Sequence, residues 1–205
     1  MLHPALLLGL AYLCGSIPTG VLLSARRGVD PRDIGSGNIG ATNVARTVGA
    51  PLGVLTLFGD ALKGWLPVLL ATRLDFDAPL VAGAGLAAFA GHLFPCFLRF
   101  RGGKGVATAL GVLLGLAPSA MAIVVPLFAL IVVGTRYVSL ASLMMAMVTA
   151  PLVFVLDYPR STIAAATIMG LLIVVRHRDN IQRIRFGTES RVGSKRPPAD
   201  DSGIA

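Results

Sequence analysis

Long apolar runs separated by short polar segments dominate the chain. They cover roughly residues 3–25, 51–72, 78–98, 105–117, 120–135, 139–156 and 159–176. A helix needs about 20 apolar residues to cross a bilayer, whereas the strands of an outer-membrane barrel are short and alternate in polarity. The pattern therefore predicts an all-α, polytopic membrane protein with seven transmembrane helices. Residues 1–190 would form a single membrane-embedded domain, and residues 191–205 a polar, disordered tail.

The fourth run is the shortest. It has about 13 residues, too few to cross the hydrocarbon core unaided at about 1.5 Å per residue. It either pairs with the fifth run as a helical hairpin through Pro118 and Ser119 or begins in an indentation of the bilayer. Five or six spans are the alternatives to seven.

The basic residues predict how the chain is oriented. Of the 18 Lys and Arg residues, 15 lie in the tail and in the loops after the first, third and fifth runs. The loops after the second and sixth runs carry only Arg73 and Arg160. Because basic loops stay in the cytoplasm, the C-terminus should be cytoplasmic and the N-terminus outside. The net charge of +8 is thus mainly a topology signal that also attracts anionic lipids, and no soluble basic domain is present to bind nucleic acid.

Composition agrees with a membrane protein and gives no sign of a metal site. Hydrophobic residues make up 55% of the chain, more than a soluble domain of this size carries. The first run has no Lys or Arg before Arg26, so it is a retained span rather than a signal peptide. Cys14 and Cys96 lack metal-ligand spacing with each other or with the three histidines. No metal, other cofactor or obligate protein partner is expected.

The first polar cluster, GSGNIGATNVAR, follows the first run. Its glycines would turn backbone N–H groups toward an anion, its neutral polar side chains would add hydrogen bonds, and its arginine suits a phosphate. The candidate ligand-binding residues are Gly35, Ser36, Gly37, Asn38, Asn43 and Arg46.

The second cluster, RFRGGKGVAT, opens the fourth run. Three glycines around Lys104, followed at once by a helix, predict an anion at a helix N-terminus. The segment is not a nucleotide-binding P-loop, because Leu98 stands where the first glycine is required and Gly105 where Ser or Thr is required. The other two glycines are Gly102 and Gly103.

Two further clusters begin and end helices. Ser139 and Ser142 in RYVSLAS are three residues apart, so they share a face at the start of a helix, where one of them could cap it. In RHRDNIQRIRFGTES, His177 and Asn180 would face the same way if the helix continues past Arg176.

Asp60, Lys63 and His92 are ionisable residues that lie away from the ends of the loops, within apolar runs. Asp60 and Lys63 are costly in lipid and should face the protein interior or each other, either as a structural ion pair or in a functional role. His92, near the inner end of the third run, is expected to be a hydrogen-bonded packing residue.

Together with GD-AL-KG at Gly59–Gly64 and GHLFPCFLRFRGGKGVAT, these clusters resemble the bacterial acyl-phosphate:glycerol-3-phosphate acyltransferases, the PlsY family, over roughly residues 5–190. The resemblance implies a seven-helix enzyme of the bacterial inner membrane with its active site at the cytoplasmic face. Such an enzyme transfers a fatty acyl group from acyl phosphate to the 1-hydroxyl of sn-glycerol 3-phosphate. It releases lysophosphatidic acid and inorganic phosphate at the start of phospholipid synthesis.

The resemblance also implies roles for individual residues. Ser36 and Arg46 match positions important for activity, His177 and Asn180 match functional positions, and Glu189 matches a structural one. Ser139 and Ser142 match the helix-start serines of the family, with Ser142 favoured as the substrate contact. The glycerol-phosphate loop of the family corresponds to Gly102, Gly103, Lys104 and Gly105.

An acyl phosphate is an activated mixed anhydride, so no acyl-enzyme is needed. The chain accordingly has neither a G-x-S-x-G elbow nor the H-x4-D pattern of acyltransferases that use acyl-CoA. In the hypothetical mechanism, Lys104, Arg46 and the glycine backbones hold the two phosphates. Ser36, Asn43 or Asn180 donates to the developing oxyanion. The base is either His177 or a substrate phosphate.

Other functions would use similar inner loops. A transporter of a phosphorylated anion needs polar groups continuing to the outer side of the membrane, whereas here only Asp60 and Lys63 interrupt the runs deeply. A phosphotransferase or an acyl-carrier-protein-dependent acyltransferase would share the membrane setting.

Overall fold

Helices form all of the regular secondary structure in residues 2–193, the part of the chain that the computed structural model describes. The all-helical class predicted from the apolar runs is confirmed. The helices are α1 Pro4–Ser16, α2 Thr19–Ala25, α3 Ala41–Thr47, α4 Ala50–Arg73, α5 Ala78–Leu93, a short 3-10 helix at Cys96–Leu98, α6 Val106–Leu116, α7 Pro118–Thr135, α8 Val138–Val155, α9 Arg160–Arg176 and α10 Arg178–Arg185.

Several segments of the described chain are long and apolar enough to cross a membrane, and each corresponds to a predicted run. The run at 159–176 qualifies only when α9 is counted with α10, which follows after a 56° bend. α6 has 11 residues, too few for a span. A multi-pass protein is confirmed, while the count of seven spans and the orientation of the ends stay predictions. The segments of the described chain that qualify as single helical spans are Pro4–Ala25, Ala50–Arg73, Ala78–Leu98, Pro118–Thr135 and Val138–Val155.

The first predicted run is interrupted at Ile17 and Pro18. Proline has no N–H to donate, and it disfavours helical backbone in the residue before it. Ile17 accordingly leaves the helix with a ψ of 117°. Its carbonyl oxygen accepts a hydrogen bond of 2.7 Å from Nζ of Lys63 on α4. The break leaves α2 as a separate short helix that leads toward the polar segment Gly35–Arg46.

The third run also ends earlier than predicted. α5 stops at Leu93 rather than at residue 98 because Pro95 follows closely. After the 3-10 helix, Arg99 and Phe100 adopt left-handed backbone with φ of 52° and 61°. This turn brings the chain back onto α5, where the N–H group of Gly102 donates to the carbonyl oxygen of Leu93.

Small residues let the first helices approach closely. A Cβ at Gly15 on α1 would lie 1.9 Å from the carbonyl oxygen of Ala88 on α5. One at Gly111 on α6 would lie 1.8 Å from that of Ala61 on α4. Membrane helices commonly pack in this way. Lipid tails are as apolar as the side chains, so helices associate through close van der Waals contact rather than through the hydrophobic effect. The largest fully buried apolar side chains are Leu7, Phe89, Leu93, Met121, Met169 and Ile173.

The polar clusters gather at one end of the bundle, here called the Lys104 end. Arg176, at the end of α9, reaches the loop that begins α6. Asn180, just after it, hydrogen-bonds both Lys104 and Glu189. The segment Gly35–Arg46 belongs to the same end because it precedes α4, which a short turn connects to α5 as an antiparallel neighbour. Contacts thus join three of the predicted clusters, helix order places the first at the same end, and the side of the membrane stays a prediction.

The predicted boundary at residue 190 is not marked by a loss of contacts. The N–H group of Val192 donates to the carbonyl oxygen of Arg136, between α7 and α8, at 2.8 Å. The rest of the predicted tail, residues 194–205, lies outside the described residues.

Candidate active site

The loop between α5 and α6 is held from two sides. The N–H groups of Gly102 and Gly103 donate to the carbonyl oxygens of Leu93 and His92, at 3.2 Å each. Arg176 donates to the carbonyl oxygen of Gly102 at 2.7 Å and to that of Gly103 at 2.9 and 3.0 Å. These bonds fix the backbone immediately before Lys104.

This arrangement gives the two glycines a different task from the predicted one. Their N–H groups were expected to face a phosphate, but they are bonded to the end of α5. Glycine is required there for space, since a Cβ at Gly103 would lie 2.2 Å from Nε2 of His92. α6 begins after Gly105, whose φ is 84°, without a side-chain cap. The N–H groups left for an anion are therefore those of the first turn of α6.

Lys104 connects this loop to the segment after α9. Its ammonium donates to Oδ1 of Asn180. Burial, reinforced by the nearby charge of Arg183, lowers the pKa of Lys104 to about 8. The group is therefore mainly cationic near pH 7 and only weakly hydrated. A partly desolvated cation beside an uncapped helix start is a suitable site for a phosphate.

Glu189 orients Asn180. The amide nitrogen of Asn180 donates to Oε1 of Glu189 at 2.6 Å, and Nε of Arg183 donates to Oε2 at 2.6 Å. Burial acts to raise the pKa of Glu189, but the polar groups of Ser139, Asn180 and Arg183 lower it below its usual value. The carboxylate thus stays ionised and holds the amide with its oxygen toward Lys104. This agrees with the structural role predicted for Glu189.

His177 lies at the bend between α9 and α10. Its Nδ1 is 2.8 Å from the carbonyl oxygen of Ile173, so Nδ1 carries the proton and Nε2 keeps the lone pair. Burial lowers the pKa of His177 to about 4. The imidazole is therefore neutral near pH 7, as a general base must be. The prediction that His177 and Asn180 face the same way assumed a straight helix past Arg176, whereas the chain bends there by 56°. Both residues are nevertheless buried at the same end of the bundle.

The two helix-start serines share a buried face of α8, as predicted. The hydroxyl of Ser142 donates to the carbonyl oxygen of Val138, one turn earlier in its own helix, at 2.8 Å. Ser139 lies near Glu189, and within the described residues its hydroxyl has no hydrogen bond of regular geometry. The Ser139 hydroxyl thus lies beside Glu189 and that of Ser142 is bonded within its own helix, and the choice of Ser142 as the substrate contact stays a prediction.

Asn43 organises the first polar segment instead of facing outward. It is buried, and its amide nitrogen donates to the carbonyl oxygens of Pro31, Ile34 and Asn38 at 2.8, 3.1 and 2.9 Å. Its oxygen accepts from the N–H group of Ser36 at 2.9 Å. With both ends of the amide engaged, Asn43 shapes the loop and is not placed to bind substrate as predicted.

The loop that Asn43 shapes presents Ser36, and α3, which follows this loop, presents Arg46. Both residues are exposed, and neither side chain makes a hydrogen bond or ion pair with the rest of residues 2–193. Gly35 and Gly37 have φ of 67°, and a Cβ at Gly35 would lie 2.3 Å from Oδ1 of Asn43. Asn38 accepts from the N–H group of Gly40. The predicted hydroxyl and cation are thus available to a ligand.

A sequence profile of the glycerol-3-phosphate acyltransferases matches residues 5–187 of the chain. The chain belongs to this family. The glycerol-3-phosphate acyltransferase of Geobacter sulfurreducens is 49% identical over 191 residues, which cover 93% of this chain and 98% of that relative. The one from Aquifex aeolicus is 44% identical over 187 residues, covering 88% of this chain and 95% of the relative.

Solved structures of an acyltransferase of this family have the same fold. The crystal structure of PlsY, an integral membrane glycerol 3-phosphate acyltransferase, in its glycerol 3-phosphate form matches with a TM-score of 0.89 and 43% identity. It covers 93% of this chain and 96% of its own. The lysophosphatidic acid form matches with a TM-score of 0.87 and 42% identity. The predicted resemblance and the integral membrane class are confirmed.

In this acyltransferase, the structure joins three of the four polar clusters. Lys104 and Asn180 are bonded directly, and Glu189 lies between Asn180 and the start of α8, where Ser139 stands. The first cluster, with Ser36 and Arg46, shares no hydrogen bond or ion pair with Lys104 or Asn180 in the described part of the chain.

Sequence reasoning missed Arg176 as part of the acyltransferase site. It was counted only as a cytoplasmic charge, yet it holds both glycine carbonyls of the Lys104 loop. Its guanidinium also lies 6.0 Å from the ring centre of Phe94. The available signal was its place as the first residue of RHRDNIQRIRFGTES, at the end of an apolar run where a charge has to find a partner.

The predicted pairing of Asp60 with Lys63 is confirmed. Nζ of Lys63 lies 2.8 Å from Oδ1 of Asp60, and both side chains are buried. His92 is buried as predicted, but the part of the chain that the structure describes gives its Nδ1 no hydrogen-bond partner.

Proposed function

We propose that this chain transfers a fatty acyl group from acyl phosphate to the 1-hydroxyl of sn-glycerol 3-phosphate, giving lysophosphatidic acid and inorganic phosphate. The observation that carries the proposal is the bonded group of Lys104, Asn180 and Glu189 beside an uncapped helix start, in a member of the glycerol-3-phosphate acyltransferase family. An exposed serine on the glycine-rich loop before α3 and an exposed arginine on α3 offer a place for the second phosphate.

Glycerol 3-phosphate is proposed to bind at the Lys104 loop. The ammonium of Lys104 has three hydrogens, so it can contact a phosphate while it keeps its bond to Asn180. The N–H groups at the start of α6 add donors aligned with the helix dipole. Ser139 lies near Glu189 and shares a buried face of α8 with Ser142, so both are candidates for the glycerol hydroxyls.

Acyl phosphate is proposed to bind at the first cluster. Arg46 supplies a planar cation for its phosphate, and Ser36 supplies a hydroxyl that can donate to the carbonyl oxygen as charge develops. Asn180 is the other candidate donor. Asn43 is assigned to shaping this loop, because its amide is engaged with it.

The proposed reaction is a single displacement. The 1-hydroxyl oxygen attacks the carbonyl carbon of the acyl phosphate, and an ester C–O bond forms while the C–O bond to phosphate breaks. The proton leaves the hydroxyl for Nε2 of His177 or for a phosphate oxygen of a substrate, and the phosphate departs as inorganic phosphate. No covalent enzyme intermediate and no cofactor are required.

We place the protein in the inner membrane of a bacterium with this site at the cytoplasmic face. The charge distribution of the loops supports that orientation. Glycerol 3-phosphate would then reach the Lys104 end from the cytoplasm, and the donor would reach it from the inner leaflet.

The direct test is transfer by the purified protein. Palmitoyl phosphate and labelled glycerol 3-phosphate should give labelled lysophosphatidic acid, with release of one phosphate per product. Parallel reactions replace the donor with palmitoyl-CoA or palmitoyl acyl carrier protein. Lack of product with palmitoyl phosphate, or product only with the other donors, would refute the proposed donor. Uptake of glycerol 3-phosphate by sealed proteoliposomes without acylation would instead favour a transporter.

A further inference from the structure

Three buried ionisable residues take no part in the proposed chemistry. Asp60 and Lys63 lie on α4 and His92 lies in the last turn of α5, and their exposed fractions are 2%, 4% and 3%. Ionisable groups inside a membrane protein are costly and usually have a function. The contacts of these three point toward the two proposed substrate loops.

Lys63 contacts the backbone just before α2, the helix that leads into the first loop. Its Nζ lies 2.8 Å from Oδ1 of Asp60 and donates to the carbonyl oxygen of Ile17 at 2.7 Å. Ile17 marks the break before α2, and α2 leads into the segment that carries Ser36. One turn earlier on α4, a Cβ at Gly59 would lie 2.5 Å from the side chain of Thr19, the first residue of α2. The beginning of α2 is thus fixed on α4 by a charge and by close packing.

His92 supports the second loop. Its carbonyl oxygen accepts the N–H group of Gly103 at 3.2 Å, and its ring nitrogen Nε2 occupies the space where a Cβ of Gly103 would stand. The other ring nitrogen, Nδ1, is 3.7 Å from Oδ1 of Asp60. The imidazole therefore fills the gap between the buried carboxylate and the backbone that precedes Lys104.

We infer that Asp60, Lys63 and His92 are positioning residues that set the two substrate loops at the right distance from each other. The described residues provide no hydrogen bond or ion pair that joins the loops directly, so their spacing depends on the elements beneath them. The three side chains connect the break before α2 to the Gly103 backbone through α4 and α5. This inference rests on the proposed function.

The inference separates catalysis from binding. Each loop would still bind its own substrate if the connection were removed. Transfer, however, requires the hydroxyl oxygen and the carbonyl carbon to meet at about 3–3.5 Å, and a displacement of about 1 Å can cost about 100-fold in rate. A purely structural ion pair would instead affect the amount and stability of folded protein and leave the turnover of that protein unchanged.

The main experiment uses the double variant Asp60→Asn with Lys63→Met. Removing both charges of a buried pair by isosteric replacements is often neutral for stability, whereas removing one leaves an unpaired charge. We expect a thermal midpoint close to that of the unaltered protein, a kcat lower by about 10- to 100-fold, and KM values for both substrates within about threefold.

A second variant, His92→Gln, tests the other side of the connection. Glutamine keeps a polar group of similar reach without the ring that fills the space beside Gly103. The same loss of kcat at nearly unchanged KM is expected. Thr149→Val is the matched control, because Thr149 is also buried and its hydroxyl donates only to the carbonyl oxygen of Met145 in its own helix, at 2.6 Å. It should leave kcat unchanged.

The outcomes are distinct. A folded double variant, or a folded His92→Gln, with the kcat of the unaltered protein would overturn the inference, as would a rise in KM alone. Failure of both variants to fold would also overturn it in favour of a structural role. If the unaltered protein makes no lysophosphatidic acid, the proposed function fails first, and it does so in a measurement that involves none of these variants.

Discussion

At the scale of single residues, burial lowers the pKa of both Lys104 and His177 and leaves each in the form that the proposed chemistry needs. It lowers the pKa of Lys104 to about 8, which still leaves the amine mainly cationic near pH 7. It lowers the pKa of His177 to about 4, so the imidazole is neutral over the whole physiological range. One group can bind an anion while the other can accept a proton.

The pKa of Lys104 predicts an alkaline limit. The cation is present below pH 8 and is lost as the pH rises through that value, so kcat/KM for glycerol 3-phosphate should fall about tenfold by pH 9. The phosphate of the substrate does not explain such a fall, because its second ionisation, with a pKa of about 6, is complete by then. Lys104→Arg keeps its charge and should remove the alkaline limit, even if its activity at pH 7 is lower. A limit unchanged in that variant would assign it to another group.

The pKa of His177 predicts a flat neutral region. The lone pair on Nε2 is lost only as the pH falls through about 4, so protonation of this histidine should not limit kcat between pH 6 and pH 8. If His177 is the base, His177→Asn should lower kcat by about 100-fold or more, since general base catalysis contributes roughly 10²–10⁴. Asn180→Asp serves as a comparison that disturbs the same cluster. A His177→Asn enzyme with nearly full kcat would transfer the role of base to a substrate phosphate.

The sequence predicted which polar residues gather around Lys104 more reliably than the contacts that each of them makes. Residue type and position predicted an anion site around Lys104, but not that the N–H groups of Gly102 and Gly103 donate hydrogen bonds to the end of α5. Nor does a sequence distinguish Asn43, with an amide enclosed by its own loop, from Asn180, with an amide shared between Lys104 and Glu189. The difference lies in hydrogen bonds between distant positions, which spacing along the chain does not record.

At the scale of elements, hydropathy predicted where helices lie and missed where they break. The runs at 51–72 and 139–156 agree with α4 and α8 to within one or two residues. The breaks at Pro18 and Pro95 fall inside predicted runs because their neighbours are as apolar as any helix interior. At the first break the freed carbonyl oxygen of Ile17 accepts from Lys63 on α4, and after the second the chain turns back and hydrogen-bonds the end of α5 itself.

The contacts that hold the Lys104 loop predict that two glycine-to-alanine substitutions differ sharply in their effect on activity. Gly103→Ala would push a methyl group into the ring of His92, 2.2 Å away, and should lower kcat by about 100-fold by displacing the loop. Gly134→Ala, on α7, has no neighbouring atom within 4 Å and should leave activity unchanged. The measurement is kcat in detergent for protein with an unchanged thermal midpoint. Full activity of Gly103→Ala would show that the loop can shift without consequence.

At the scale of the whole molecule, the fold is confirmed by its relatives while its orientation rests on charge alone. The positive-inside distribution predicts that Asp33 lies in the cytoplasm, whereas Asp75 and Asp157 lie outside. All three are exposed in loops. They can therefore carry a reporter without disturbing the core.

Single cysteines at these positions test the orientation. In a background with Cys14 and Cys96 replaced by alanine, Asp75→Cys and Asp157→Cys should react with a membrane-impermeant maleimide in intact spheroplasts. Asp33→Cys should react only after permeabilisation. The cysteine-free protein is the control for background labelling, and activity in each variant shows that the fold is retained. Reaction of Asp33→Cys and Asp157→Cys from the same side would rule out seven spans.

The shortness of α6 has an energetic consequence for the proposed donor. At about 1.5 Å per residue its 11 residues extend about 17 Å, little more than half of a hydrocarbon core of about 30 Å. Lifting an acyl chain out of a bilayer costs about 0.8 kcal/mol for each methylene exposed to water. If α6 keeps its far end at the opposite surface, Lys104 lies several methylenes below the headgroups. Glycerol 3-phosphate then enters below the headgroups to reach Lys104, and the acyl chain of the donor stays in lipid throughout.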